Sequence, residues 1–259
     1  MKRAIKATAL VAAMLLTLGA VASLSVNAKS SHWYCAHVAQ HQRPTADASF
    51  SYIGQYDGYY ISPNETDKVI YLTFDAGYEN GNIAKILDTL KEKQVPAAFF
   101  VLSHLVEAER ALVGRMFDEG HLVCNHTAHH KDMARVSDPS AFEAELTALE
   151  QVCREQTGRE LARYYRPPEG SFSEQNLKQA QEMGYKTVFW SFAYADWDNA
   201  KQMSEEAAKQ KILDNVHAGE VMLLHPTSAT NAAILGEVID ECRAMGYRFG
   251  TLDELTAAR

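Results

Sequence analysis

Residues 69–102 read VIYLTFDAGYENGNIAKILDTLKEKQVPAAFFVL. Val69–Phe74 is a β-branched and aromatic run, the composition of a strand buried on both faces. From Gly81 to Lys93 the apolar residues Ile83, Ile86, Leu87 and Leu90 fall on one stripe, which predicts a helix. Pro96 stops it, and Ala97–Leu102 reads as a second buried strand. Strand, helix and strand in this space make a βαβ unit with two parallel strands. Between the first strand and the helix stands one carboxylate, Asp75, followed by Ala76 and Gly77. A lone aspartate there is more often a turn or helix cap. Whether it does chemistry depends on what the other strand ends carry.

The alternation continues to the end of the chain. Helices are expected at 105–119, 139–157, 173–183, 201–217 and 229–245, four of them ended by Gly120, Gly158, Gly184 and Gly246. Short strands are expected at 121–125, 164–165, 187–192, 221–224 and 249–252. Repeated units of this kind predict a parallel sheet covered by helices. No glycine-rich phosphate loop follows the first strand, so a barrel, complete or not, is the better expectation, with its chemistry at the C-terminal strand ends.

Residues 1–28 combine Lys2, Arg3 and Lys6 with an apolar run and small residues before Ala22 and Ala28, the pattern of a cleaved signal peptide. An uncut membrane anchor is the alternative, but the apolar run is short of the roughly 20 residues a span prefers. Residues 29–67 are polar and aromatic without periodicity and read as an N-terminal extension wrapping the domain. The formal net charge of -8 argues against nucleic acid as a partner. With 47% hydrophobic and 22% charged residues, the chain is an ordinary globular protein. Cys35, Cys124, Cys153 and Cys242 are too widely spaced for a zinc motif, and Cys124 reads as a core thiol.

Each of five strand ends carries a polar group: Asp75; Asn125–His130; Arg166–Gly170; Asp196–Trp197; and His225. A barrel would gather them on one face. Arg166, permanently charged, could hold Asp75 ionised. Asp196 could fix the tautomer of His225, whose imidazole can donate a proton near neutral pH. His126 and His129 are three apart. On a helical turn both rings would share one side and could hold one metal ion. His130 then reads as a surface residue.

In this order the five segments resemble the motifs of the NodB-homology polysaccharide deacetylases, carbohydrate esterase family four. The resemblance runs from about Val69 to Leu255, over Thr73–Ala76, His126–His129, Arg166–Gly170, Asp196–Trp197 and Leu223–His225. TFDAGYENG, NHTAHH, RPPEGSFSE and FWSFAYADWD are similar to the PdaA-type branch, which removes the acetyl group from N-acetylmuramic acid in peptidoglycan, a step toward the muramic δ-lactam of spore cortex. The resemblance implies an α/β fold, a distorted (β/α) barrel of about seven parallel strands, over residues 68–259. It implies Asp75 as base, His225 as acid, and Arg166 and Asp196 as their supports. The backbone near Glu169 and Gly170 would hold the oxyanion, Leu223 would line the acetyl pocket, and Trp197 would face the glycan. It implies one divalent metal, zinc, on His126 and His129, weakly held because Ala76 replaces the usual aspartate ligand; a metal-independent reaction stays open. The implied partner is a peptidoglycan strand outside the cytoplasmic membrane. N-acetylglucosamine as substrate, in peptidoglycan or chitin-like oligomers, and an inactive glycan-binding module are the alternatives.

Overall fold

The computed structural model describes residues 29–38 and 40–258; the expected signal peptide lies outside them. The strands in chain order are β1 (Ser31–His32), β2 (Gly58–Tyr59), β3 (Val69–Ala76), β4 (Ala98–Val101), β5 (Leu122–Asn125), β6 (Ala162–Tyr165), β7 (Ser171–Phe172), β8 (Lys186–Val188), β9 (Glu220–Leu224) and β10 (Arg248–Phe249). The helices are α1 (Ile83–Lys93), α2 (Ser103–Ala108), α3 (Arg110–Asp118), α4 (Pro139–Thr157), α5 (Glu174–Glu182), α6 (Glu205–Asn215), α7 (Ala229–Ala244) and α8 (Leu252–Ala257).

β3 organises the molecule. Side chains on a strand alternate between faces. Ile70, Leu72, Phe74 and Ala76 pack under the helices with Ile86, Leu87, Val113 and Leu235. Val69 and Tyr71 face the other way, against Phe100, Cys124, Tyr164 and Val221 inside the curled sheet. Thr73 and Asp75 share that inner parity, so the strand delivers its carboxylate to the interior end of the barrel. β3 pairs in parallel with β4, β9 and β10; β4 then leads through β5, β6 and β8 to β2. A parallel bridge between Phe192 and Met222 links the chain beyond β8 to β9 and nearly closes the ring. The result is a distorted barrel of parallel strands, as expected.

Four local expectations give way. Residues 105–119 form two helices, because Glu109 leaves helical geometry at φ −124° and ψ 42°. The strand expected at 187–192 is regular only to Val188; the carbonyls of Val188 and Phe189 turn to accept from Arg166 and that of Trp190 from Trp33, so they are lost to the ladder. The last strand stops at Phe249, and Thr251 with Glu254 forms a capping box that starts α8 instead. A fourth is α6, expected from 201, which begins at Glu205 under a Ser204 cap and ends at Asn215; α5 and α7 start as expected, capped by the side-chain oxygens of Ser173 and Ser228.

The segment before β3 is built into the domain. β1 pairs antiparallel with β7, and β2 joins the main sheet beside β8. The four cysteines form no disulfide; Cys124, Cys153 and Cys242 are buried and Cys35 is half-buried.

Candidate active site

Asp75 ends the inward-facing row of β3. Its Oδ1 accepts from Nη1 of Arg166 at 2.8 Å. The guanidinium is wholly buried and held by four hydrogen bonds. Nε donates to the Val188 carbonyl at 2.9 Å, and Nη2 to Thr73 Oγ1 at 2.9 Å and the Phe189 carbonyl at 3.2 Å. Its plane lies 4.1 Å from the Phe100 ring centroid. Such a fork has one orientation, and it aims the carboxylate. Burial pushes the Asp75 carboxyl up, but Arg166, His126 and His225 outweigh it and hold the group below the usual carboxylate range.

His225 follows β9, whose inner parity runs through Val221 and Leu223. Its Nδ1–H donates to Asp196 Oδ1 at 2.7 Å and its backbone N–H to Asp196 Oδ2 at 2.8 Å. Asn231, near the start of α7, donates from Nδ2 to Asp196 Oδ2 at 2.6 Å and to the His225 carbonyl at 3.2 Å. The Tyr194 hydroxyl donates in turn to the Asn231 side-chain carbonyl. Burial lowers the basicity of His225, but the bond and charge of Asp196, with Asp75 behind them, reverse this and raise its pKa.

Both groups line one cavity of about 630 Å³ at the C-terminal strand ends. Its walls include Leu102, Glu169, Trp190, Tyr194 and Leu223, with Tyr78 and Trp197 beside them. Tyr78 and Trp197 are among the few large apolar side chains left exposed, at 46% and 59%. Exposed aromatic rings at a cavity suit the apolar faces of a sugar. One wall thus carries a carboxylate held ionised and another an imidazole inclined to keep its proton, the two groups a hydrolysis needs.

Residues 62–188 match the family Polysaccharide deacetylase. The chain is 38% identical over 245 residues, 94% of its length and 92% of the relative's, to the peptidoglycan-N-acetylmuramic acid deacetylase PdaA of Bacillus subtilis strain 168. This chain belongs to the polysaccharide deacetylases. The solved structure of that PdaA, a family 4 carbohydrate esterase, superposes with a TM-score of 0.84, covering 88% of this chain and 97% of the other. A family 4 carbohydrate esterase structure from Bacillus anthracis gives 0.75 at 37% identity, covering 91% and 100%. A peptidoglycan-N-acetylglucosamine deacetylase of Bacillus cereus is 31% identical over 210 residues, 80% of this chain and 74% of the relative.

Set in this family, the histidine loop departs from the expectation. His126 is buried, and its Nδ1–H donates to the Arg166 carbonyl at 2.8 Å, leaving Nε2 3.6 Å from Asp75 Oδ2. His129 does not join it. Its ring turns to Glu145 on α4, 3.1 Å from Oε1, with a side chain 64% exposed. His130 lies beside His126 instead, ring centroids 5.1 Å apart, and lines the cavity. The three-residue spacing counts only on a helical turn, and this loop is not one: Thr127 and His130 have φ of 74° and 55°. The two rings at the cavity are four residues apart, a signal present in NHTAHH and assigned to the wrong pair.

Arg163, a plausible partner for Glu169 on charge alone, donates to Glu150 at 2.6 Å. Glu169 lines the cavity with a left-handed backbone, φ 57°. Gly170 follows at φ 65°, and a Cβ there would meet the Trp190 ring at 2.8 Å, so glycine is required. Its N–H is used within the turn, donating to the Pro167 carbonyl at 3.0 Å. Asn231 lies in no segment that the sequence singles out; Tyr78, Trp190 and Tyr194 lie within the TFDAGYENG and FWSFAYADWD segments, which by themselves assign them no role.

Members of this family generally use a divalent metal. The donors here fall short of the three protein ligands a catalytic zinc site usually has. Among the described residues no group of three or more His, Cys, Asp or Glu side chains could hold an ion. Position 76, an alanine without a donor atom, packs into the helix-facing core. What the site offers is two imidazoles, His126 and His130, beside an aspartate already engaged by Arg166.

Proposed function

We propose that this chain hydrolyses the N-acetyl amide of N-acetylmuramic acid in peptidoglycan strands, leaving a free amine and acetate. The observation that carries the reading is the facing of Asp75 and His225 across one cavity, each held in the protonation state its task requires. The 38% identity to PdaA over nearly the whole chain supports the substrate. The free amine beside a lactyl group is what a muramic δ-lactam needs.

In this reading Asp75 takes a proton from water as the water oxygen attacks the acetyl carbonyl carbon. The Glu169 N–H is the backbone donor we assign to the resulting oxyanion. As the carbon–nitrogen bond breaks, His225 delivers the proton on Nε2 to the departing amine. Arg166 and Asp196 orient the two. Leu223 meets the acetyl methyl, and Trp197 with Tyr78 holds the flanking sugar rings. Every step uses side chains and backbone of the chain itself. For the metal, the donors favour weak retention of zinc on His126 and His130, with water or substrate completing the shell, over a tightly held ion.

The substrate would be met outside the cytoplasmic membrane, following the export signal expected in residues 1–28. Among the described residues no helix is long and apolar enough to cross a membrane. The B. cereus relative, named for N-acetylglucosamine, makes that sugar the second reading. Acetate release from amidase-treated peptidoglycan decides the matter, with mass analysis of the products to locate the free amine. Wild-type protein should release acetate and Asp75→Asn should not. A free amine on glucosamine would move the substrate, and sugar binding without acetate from any glycan would leave a binding module. Release that stops on chelation and returns with zinc would give the two histidines an ion; release that persists would make them substrate contacts.

A further inference from the structure

We propose that residues 31–37 are a strap that positions one wall of the active-site cavity, with Trp33 as its central positioning residue. The kinetic arm of this proposal rests on the deacetylase reading; its structural arm does not. The strap lies outside residues 62–188, the part of the chain that matches the family.

The contacts converge on the segments that carry the wall. The Trp33 backbone N–H donates to the Gly170 carbonyl at 2.8 Å, directly after Glu169. Its indole N–H donates to the Trp190 carbonyl at 2.9 Å. Its ring stacks on Phe189 with centroids 4.5 Å apart, and the Phe189 carbonyl is one of the acceptors that hold Arg166. Just before it, Ser31 and His32 pair with Phe172 and Ser171. Four residues later, His37 stacks on Phe192 at 5.0 Å and bonds the Ala193 backbone. Glu169, Trp190 and Ala193 all line the cavity.

The wall needs this help. Glu169 and Gly170 are consecutive residues with positive φ, and a left-handed backbone at a residue bearing a Cβ is costly unless its surroundings hold it. Beyond Val188 the pairing is irregular: the carbonyls of Val188, Phe189 and Trp190 accept from side chains, while the Phe189, Ser191 and Phe192 N–H groups still bond the Tyr59 and Val221 carbonyls. Trp33 is almost fully buried and bonds both irregular segments at once, through two different donors. A misplacement of reacting groups of about 1 Å can cost 10²-fold in rate.

The test is Trp33→Phe, which keeps a ring on Phe189 but loses the donor to Trp190. Val113→Ala, in the distant helix layer, serves as a control brought to the same melting temperature. Amide hydrogen exchange over 189–194 should quicken about fivefold in the Trp33 variant, the weight of one lost hydrogen bond, and stay at wild-type rates in the control. kcat/KM for acetate release should fall about tenfold in the first and not in the second. If the two variants behave alike in both measurements, Trp33 is ordinary core and the proposal fails. If wild-type protein releases no acetate, local exchange still decides the strap. If acetate is released and exchange in the Trp33 variant is unchanged, the strap falls and the deacetylase stands. Should Trp33→Phe not fold, His37→Ala asks the same question of residues 189–194.

Discussion

Two imidazoles, the buried His126 and the half-buried His225, reach the same cavity under opposite control. Each uses Nδ1 to bond a fixed acceptor and turns Nε2 elsewhere. For His126 the acceptor is the Arg166 backbone carbonyl. Burial dominates, the help from Asp75 is insufficient, and the pKa falls to about 4. His126 therefore keeps a lone pair on Nε2. For His225 the acceptor is the Asp196 carboxylate, and the balance tips the other way. A carboxylate acceptor raises the pKa of the half-buried ring, while full burial against a neutral carbonyl lowers that of the other.

The firmest way to break this comparison is to remove the acid. His225→Ala should lower the rate by roughly 10²- to 10⁴-fold; an unchanged rate would take His225 out of that role. Asp196→Asn should cost about 10²-fold, because the amide no longer supplies the charge that raises the imidazole pKa. The pH profile sharpens the point. As general acid His225 must be protonated, so the rate should fall as pH rises through its raised pKa. In Asp196→Asn that alkaline limb should move to lower pH, and a limb that stays in place would show that another group titrates there. Asn231→Ala should act more mildly, about tenfold on kcat with little change in KM, as fits loss of a hydrogen bond that aims Asp196. Last, His129→Ala should leave activity within about twofold of wild type, since surface substitutions away from the cavity change little, whereas His130→Ala should weaken glycan or zinc binding measured by calorimetry.

The two halves of the site were unequally legible. The pairs Asp75 with Arg166 and Asp196 with His225 could be anticipated, because each member stands at a strand end and the charges demand partners. The histidine loop could not be read by helical spacing, since Thr127 and His130 adopt left-handed backbones that no helix allows. Asn231 was invisible for another reason. It sits six residues past His225, and only the turn into α7 folds it back onto Asp196. Glu169 could not be paired from charge alone, because Arg163, six residues earlier, faces Glu150.

The sequence by itself determined the parallel α/β layering. It also determined which residue types stand at the strand ends, and so the class of chemistry. Only the tertiary structure decided which histidine reaches the cavity and which carboxylate each cation meets. Those outcomes depend on backbone angles in short irregular loops and on contacts between residues 13 to 91 apart in the chain, where local periodicity carries no information.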